Sequence, residues 1–433
     1  MMDTITIATI LLVGTFLLLV LMGTHIAFSI SFSTIVTTLY LGIPLKTIAQ
    51  NMVSGVNVFV FLAVPFFITA GEIMGTGGIS NRLIKLSNAL VGWIKGGLAH
   101  VNILASMFFG GISGSSTADV SSIGAILIPM MEKDGYDSDF STCVTIASSI
   151  QGILIPPSHN MIIYALVAGS VSIGRCFLAG IVPGVFLGVA LMIYSYIISV
   201  KRNYPGGVKF SMKEAILAFR DAIWGLGTVL IVVVGVIGGI FTATEAAAIA
   251  AVYAFIVTFV IYREIKISAF WGILTRSIKT ISIIMILVAA ANAFGWLVSY
   301  LKIPVLITNA ILSITENRII ILLLINVILL ILGMIMDMAS LILILTPVFM
   351  PIVRFIGMDP VHFGIVMILN LGIGLLTPPV GTTLFVGSAI SGIPMIKIAK
   401  AMIPFYLVMV AVLLLITFIP DLVMYIPNKF MPL

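Results

Sequence analysis

Charge is what this chain has least of. Only 8% of its 433 residues are Asp, Glu, Lys or Arg, against about a quarter in a soluble domain. With 61% hydrophobic residues, a water-soluble globular fold is excluded. Cysteine is equally sparse. Cys143 and Cys176 are the only two, so there is no disulfide framework and no thiolate spacing for a metal. No polar stretch is long enough to fold as a domain of its own; the longest runs from Lys201 to about Asp221. No Walker A loop is present to cradle a nucleotide, which points away from ATP as an energy source. The formal charge of +6 is no nucleic-acid signal, because its lysines and arginines are dispersed in short loops between apolar runs.

Those runs approach the ~20 residues needed to cross a bilayer and recur along nearly the whole chain. The chemistry lies in how they are interrupted. A G-x-x-x-P-P element occurs twice, as Gly152-Ile-Leu-Ile-Pro156-Pro157 and as Gly374-Leu-Leu-Thr-Pro378-Pro379. Adjacent prolines cannot continue an α-helix, since each lacks an N–H and clashes with the preceding turn. A break at membrane depth frees carbonyls that must be buried in protein or line a cavity. Matched breaks in the two halves of a chain are a pointer to a transporter binding site.

Adding 222 to a residue number relates the halves: Gly111 falls on Gly333, Pro129 on Pro351, Gly152 on Gly374, and both prolines on both prolines. The apolar blocks follow the same shift. We therefore divide the chain into a first repeat, 1–205, a cytoplasmic linker, 206–221, and a second repeat, 222–433. Each repeat reads as three helices, an interrupted apolar hairpin (about 103–131 and 319–350), a broken helix (about 141–169 and 361–390) and a last helix. The cluster Gly110-Gly-Ile-Ser-Gly-Ser-Ser-Thr-Ala-Asp119 cannot lie in lipid as a continuous helix, so the hairpin is expected to be re-entrant. Five crossings plus such a hairpin is an odd count, which inverts the second repeat. Charge placement agrees: under that topology 15 of the 21 lysines and arginines fall on one face, which is then cytoplasmic. The expected fold is an all-α polytopic membrane protein of two inverted-topology repeats.

Hydroxyls and freed carbonyls at a hairpin tip facing a break are hard oxygen ligands for Na⁺, while half-helix N-termini suit an anion. Small residues and prolines also serve plain close packing and kinking. Four acids, Glu72, Asp119, Glu245 and Asp337, lie in or beside apolar blocks and are functional candidates on grounds of cost. Asp337 is the foremost, as a cation or proton carrier, with N-capping of a hairpin arm as its structural reading. Glu245 is expected to cap a helix, Asp119 to cap or pair near the first hairpin, and Glu72 has no obvious partner. Two rival classes exist. Gly111-Ile-Ser113-Gly114 matches the G-x-S-G of intramembrane serine proteases, with His159 as a partner base; the second half carries neither residue. A passive channel is the other, although paired opposed hairpins suit alternating access better than a symmetric pore.

The segments Gly111–Asp119, Gly152–Ser158 and Asn370-Leu-Gly-Ile-Gly-Leu-Leu-Thr-Pro-Pro-Val-Gly381 resemble the large membrane (M) subunit of tripartite ATP-independent periplasmic (TRAP) transporters. The resemblance spans nearly the full chain. It implies the ion-transporter superfamily fold, an elevator mechanism, and Na⁺-driven import of an organic acid (a dicarboxylate, sialic or other sugar acid, or keto acid) across a bacterial inner membrane, with no enzyme activity. An H⁺-coupled anion transporter of similar fold is the alternative. Two partners are implied: a small four-helix membrane subunit, expected as a separate chain, and a periplasmic substrate-binding protein. The coupling ion is Na⁺ and no organic cofactor is expected. Carried over by position, one Na⁺ lies near Gly110, Ser113, Gly152, Ile155 and Pro156, and a second near Gly333, Gly374, Thr377 and Val380. The substrate falls near Ser115, Ser116, Ser158, Asp337 and Thr382. No arginine is placed in the core of either half, so a carboxylate is expected to be held by helix N-termini and hydroxyls.

Overall fold

A computed structural model describes residues 4–169, 171–207 and 209–432. Residues 1–3, 170, 208 and 433 lie outside the described residues. The described chain is helical throughout, and the one β-bridge in it joins Lys95 to Gly206.

The first half runs through α1 (Thr4–Leu21), α2 (Ile26–Tyr40), α3 (Leu45–Val56), a 3₁₀ turn (Phe59–Leu62), α4 (Ala63–Thr76) and α5 (Ile79–Val91). Its hairpin has α6 (Gly97–Ser113) as one arm. The other arm is α7 (Ser116–Asp119), a π-helical segment (Val120–Gly124) and α8 (Ala125–Lys133). The broken helix is α9 (Ser138–Ser148) with α10 (Gln151–Leu154), then α11 (His159–Ala168), bent by 46° at the prolines. It is followed by α12 (Ile173–Lys201).

The second half begins with α13 (Met212–Ile237), α14 (Ala243–Ile256), α15 (Ala269–Tyr300) and α16 (Ile303–Ile314). Its hairpin is α17 (Arg318–Gly333) and α18 (Met338–Phe355), and its broken helix α19 (Pro360–Leu375) and α20 (Thr382–Ser391). α21 (Met395–Ala401), α22 (Ile403–Phe418) and α23 (Asp421–Phe430) close the chain.

Elements recur at the expected shift where the chemistry lies. The hairpin arm 116–133 plus 222 gives 338–355, the bounds of α18. The shift loosens elsewhere. In the second half the equivalents of α3 and α4 are fused into the 32-residue α15, and the single helix α12 is matched by three segments. The stretch 206–221 is helical from Met212 onward, so the linker is shorter than its polarity implied. Short helices α3, α5 and α16 fill what read as loops or span ends; each buries one face and turns the other toward the surroundings, the buried face being widest in α5.

Burial separates centre from rim. Among the described residues seven single helices are long and apolar enough to span a bilayer. Only 17% of α1 is buried inside the protein, against 72% of α18. Thus α1 presents Leu18 and Leu21 outward, whereas the second hairpin arm packs within the protein. The broken helices are more enclosed still: every residue from Val361 to Leu375 is buried. On the face carrying most of the basic residues, Arg202 Nη1 and the Tyr204 hydroxyl each donate to Asp137 Oδ2 at 2.7 Å. That cluster ties the start of the first broken helix to the end of α12.

Candidate functional site

Each hairpin meets its own broken helix through glycine. A Cβ built on Gly110 would lie 2.5 Å from Gly152 Cα, and one on Gly374 would lie 2.6 Å from Gly333 Cα. Real side chains do not come so close, so both contacts require bare backbone. The pairing is one residue off the 222 shift, since Gly111 rather than Gly110 is the counterpart of Gly333. Gly111 instead faces the carbonyl of Pro156, with 3.0 Å left for a Cβ. Gly114 ends α6 at φ +62° and abuts Pro157 O and the His159 ring. In the second half Val380 N donates to Met334 O at 3.1 Å, and Gly381 turns at φ +54° beside Thr377 O. Both Pro–Pro peptide bonds are cis. The two sets expected to hold Na⁺ are therefore each gathered in space: Gly110, Ser113, Gly152, Ile155 and Pro156 around the first break, and Gly333, Gly374, Thr377 and Val380 around the second.

Between the two breaks lies a cavity of about 580 Å³. Its walls are the first tip (Ser113, Ser115, Ser116, Thr117), the second tip (Asp337, Met338, Ala339), the break residues Ile153, His159, Asn160 and Thr382, and faces of α4 and α15. Four of the five expected substrate residues line it: Ser115, Ser116, Asp337 and Thr382. Ser158 does not. It is fully buried, and its hydroxyl makes no hydrogen bond among the described residues. Ser115 caps the returning arm by accepting Ala118 N at 3.4 Å. The Ser116 hydroxyl bonds Ser149 at 2.6 Å and Thr383 at 3.2 Å. The latter joins the first hairpin to the second broken helix, a contact between halves that no spacing rule announces.

The acids divide differently from the sequence reading. Asp337 caps α18, accepting Ala339 N at 3.0 Å, and also lines the cavity. Glu245 caps α14 in a reciprocal box with Thr242. Asp119, expected to cap or pair, caps no helix and meets no cation among the described residues: it is fully buried, with the Ser106 hydroxyl beside it. Glu72, which appeared partnerless, pairs with Arg276 at 3.2 Å. Arg175, expected near a span end, is buried, whereas Arg276 lines the cavity with about half of its side chain exposed. Arg276 reads as loop because α15 starts in a polar stretch, yet it sits on that helix and lines the cavity. Periodicity along α15 was the signal that could have found it. The protease pairing is not assembled, for the Ser113 hydroxyl engages the backbone of Ser115 rather than His159. Among the described residues no group of three or more His, Cys, Asp or Glu side chains could hold a metal.

Many apolar helices, two backbone-lined breaks and, between them, a cavity that mixes hydroxyl and charged side chains with apolar ones define a multi-pass membrane transport protein. Residues 13–422 match the family model for the tripartite ATP-independent periplasmic transporter, DctM component, and the chain belongs to that family. It is 42% identical over 98% of its length to the uncharacterized protein YgiK of Salmonella typhimurium, covering 98% of that protein. It is 39% identical over 88% of its length to the sialic acid TRAP transporter large permease SiaM of Vibrio cholerae, covering 90% of it. With the C4-dicarboxylate large permease DctM of Pseudomonas aeruginosa the identity is 40%, over 86% of each chain. The crystal structure of the Alcanivorax borkumensis YdaH transporter, described as having an unusual topology, has the same fold at a TM-score of 0.60 and 14% identity, over 86% of each chain. SiaM and DctM are large permeases by name, and the chain is a permease rather than an enzyme.

Proposed function

We propose that this chain is the large subunit of a Na⁺-coupled, binding-protein-dependent importer of an organic acid in a bacterial inner membrane. The observation that carries the reading is the pair of glycine contacts, Gly110 on Gly152 and Gly333 on Gly374, flanking one cavity. Each brings a hairpin tip onto a broken helix where main-chain carbonyls are freed. Carbonyl and hydroxyl oxygens are the donors a hard monovalent cation takes, and among the described residues no group of three or more His, Cys, Asp or Glu side chains competes for a metal. Two Na⁺ sites then flank one substrate site. Ser115, Ser116, Thr382 and Asp337 contact the acid, and the buried Ser158 shapes the turn behind them. The related large permeases named for sialic acid and C4-dicarboxylates support an organic acid as cargo.

The division into inverted repeats, 1–205 and 222–433, gives the motion. Hairpins and broken helices travel together as an elevator against outer helices such as α1, exposing the cavity to each side in turn. The acid arrives on a periplasmic binding protein, and a separate four-helix subunit completes the membrane part.

Proteoliposomes containing this chain, a small subunit and a binding protein are expected to accumulate one member of a panel of sialic acid, C4-dicarboxylates and keto acids under an inward Na⁺ gradient. Uptake unchanged when choline replaces Na⁺, or uptake without any binding protein, would overturn the reading. Asp119, fully buried, favours proton coupling as a second reading. Accumulation driven by a pH gradient in choline would establish it.

A further inference from the structure

We propose that Arg276 is an anion receptor in the cavity wall, masked by Glu72, and that the carboxylate of the transported acid exchanges with Glu72 for its guanidinium. This rests on the cavity being a route for an organic anion.

One wall of the cavity is built from two helix faces. On α15 the cavity-lining residues are Arg276, Thr280, Ile283 and Ile284, spaced i, i+4, i+7 and i+8. On α4 they are Ile68, Gly71, Glu72, Gly75 and Thr76, spaced in the same way. Such spacing puts each set on one stripe of its helix. Each stripe carries isoleucine at one end and polar residues at the other, where Glu72 and Thr76 meet Arg276. Among the described residues lining the cavity, Arg276 is the one arginine or lysine, against two carboxylates, Glu72 and Asp337.

The pairing is incomplete. Arg276 donates from Nε to Glu72 Oε2 at 3.2 Å and from Nη2 to Thr76 Oγ1 at 3.1 Å. Glu72 thus takes one donor rather than the parallel two-bond fork that makes arginine–carboxylate recognition strong. The side chains keep 52% and 33% of their exposure, and ion pairs this open are weak enough to exchange. An incoming carboxylate that takes the fork displaces Glu72, and Glu72 restores the pair when the acid leaves. A guanidinium without that competitor would hold the anion in the cavity. The pair therefore attracts an organic anion without trapping it.

Local potential tests this without knowing the substrate. Cys143 and Cys176 are buried, so Thr280→Cys gives one accessible thiol a helical turn from Arg276. Purified protein is labelled with an anionic sulfonatoethyl and a cationic trimethylammonioethyl methanethiosulfonate, and the ratio of the two rates is measured. One charge at about 6 Å in water changes that ratio roughly three- to tenfold, depending on salt screening. R276Q is expected to lower the anionic-to-cationic ratio by that factor, R276K to keep it within about twofold, and E72Q to raise it. A ratio unmoved by R276Q, or lowered by E72Q, overturns the proposal. A misfolded R276Q would give itself away, because E72Q retains the arginine and must shift the ratio the opposite way. Failure of Na⁺-dependent uptake would leave this ratio untouched, so the two readings fail separately.

Discussion

Replacing Gly110 and Gly152 separately by alanine asks whether the bare-backbone contact at the first break builds a cation site. On Gly110 the new Cβ would lie 2.5 Å from Gly152 Cα, 2.8 Å from Gly152 N and 3.1 Å from the Gln151 carbonyl carbon. Ordinary carbon contacts are about 3.5–4.0 Å. The hairpin and the broken helix must therefore part by about 1 Å, and every obstructing atom is main chain, so no rotamer relieves it. On Gly152 the nearest atoms are 3.4 and 3.5 Å away, close to ordinary contact. Global stability is a poor readout. Overpacking costs about 1–3 kcal/mol, while alanine for glycine within a helix returns up to about 1 kcal/mol. The cation linkage is sharper: each site adds about 1.4 kcal/mol when Na⁺ is tenfold above its Kd. The assay is thermal unfolding of purified protein in Na⁺ against choline at equal ionic strength. G110A should lose about half of the Na⁺-dependent stabilisation, and G152A should keep nearly all of it. At the second break the sensitive member should be Gly374, whose Cβ would lie 2.5 Å from Gly333 C, and the tolerant one Gly333, with 3.2 Å to Gly374 Cα. Equal Na⁺ responses in G110A and G152A would refute the reasoning.

Asp337 combines a cap with a charge, and D337N separates them. Asparagine caps as well as aspartate, so stability should stay within about 0.5 kcal/mol while Na⁺-driven uptake is lost; full uptake in D337N would assign the residue to capping alone. Asp137 offers a pH test outside the membrane-spanning part. The Tyr204 hydroxyl, with help from Arg202, holds its carboxyl below the usual range. A depressed folded value contributes stability above the unfolded pKa, about 3.9, and loses it as pH falls through the folded one. The melting-temperature difference between wild type and D137N should accordingly be constant near neutrality and shrink below about pH 4. A difference that grows on acidification would contradict the sign.

The breaks at Pro156–Pro157 and Pro378–Pro379 were legible because proline acts through its own covalent structure, whatever surrounds it. The hairpins were legible for a related reason: glycine and serine runs such as Gly110–Ser116 cannot continue a lipid-facing helix. Helices α3, α5 and α16 were not. They are short, and their apolar residues form a stripe that a search for long runs passes over. Arg276 was passed over because a basic residue near a polar stretch reads as loop until the helix start at Ala269 is known. Glu72 seemed alone because its partner lies 204 positions further along the chain.

Local chemistry acts over a turn or two of backbone, and it was enough to determine a polytopic helical protein with two matched breaks, each beside a polar tip. Which groups meet across the breaks depends on how helices hundreds of residues apart pack. The tertiary structure alone decided that Gly111 faces the Pro156 carbonyl, that Ser116 reaches Thr383, that Asp119 is sealed in the interior, and that Glu72 holds Arg276 in the cavity wall. A one-residue slip along a helix rotates a side chain by about 100°, and no spacing in the sequence resolves that.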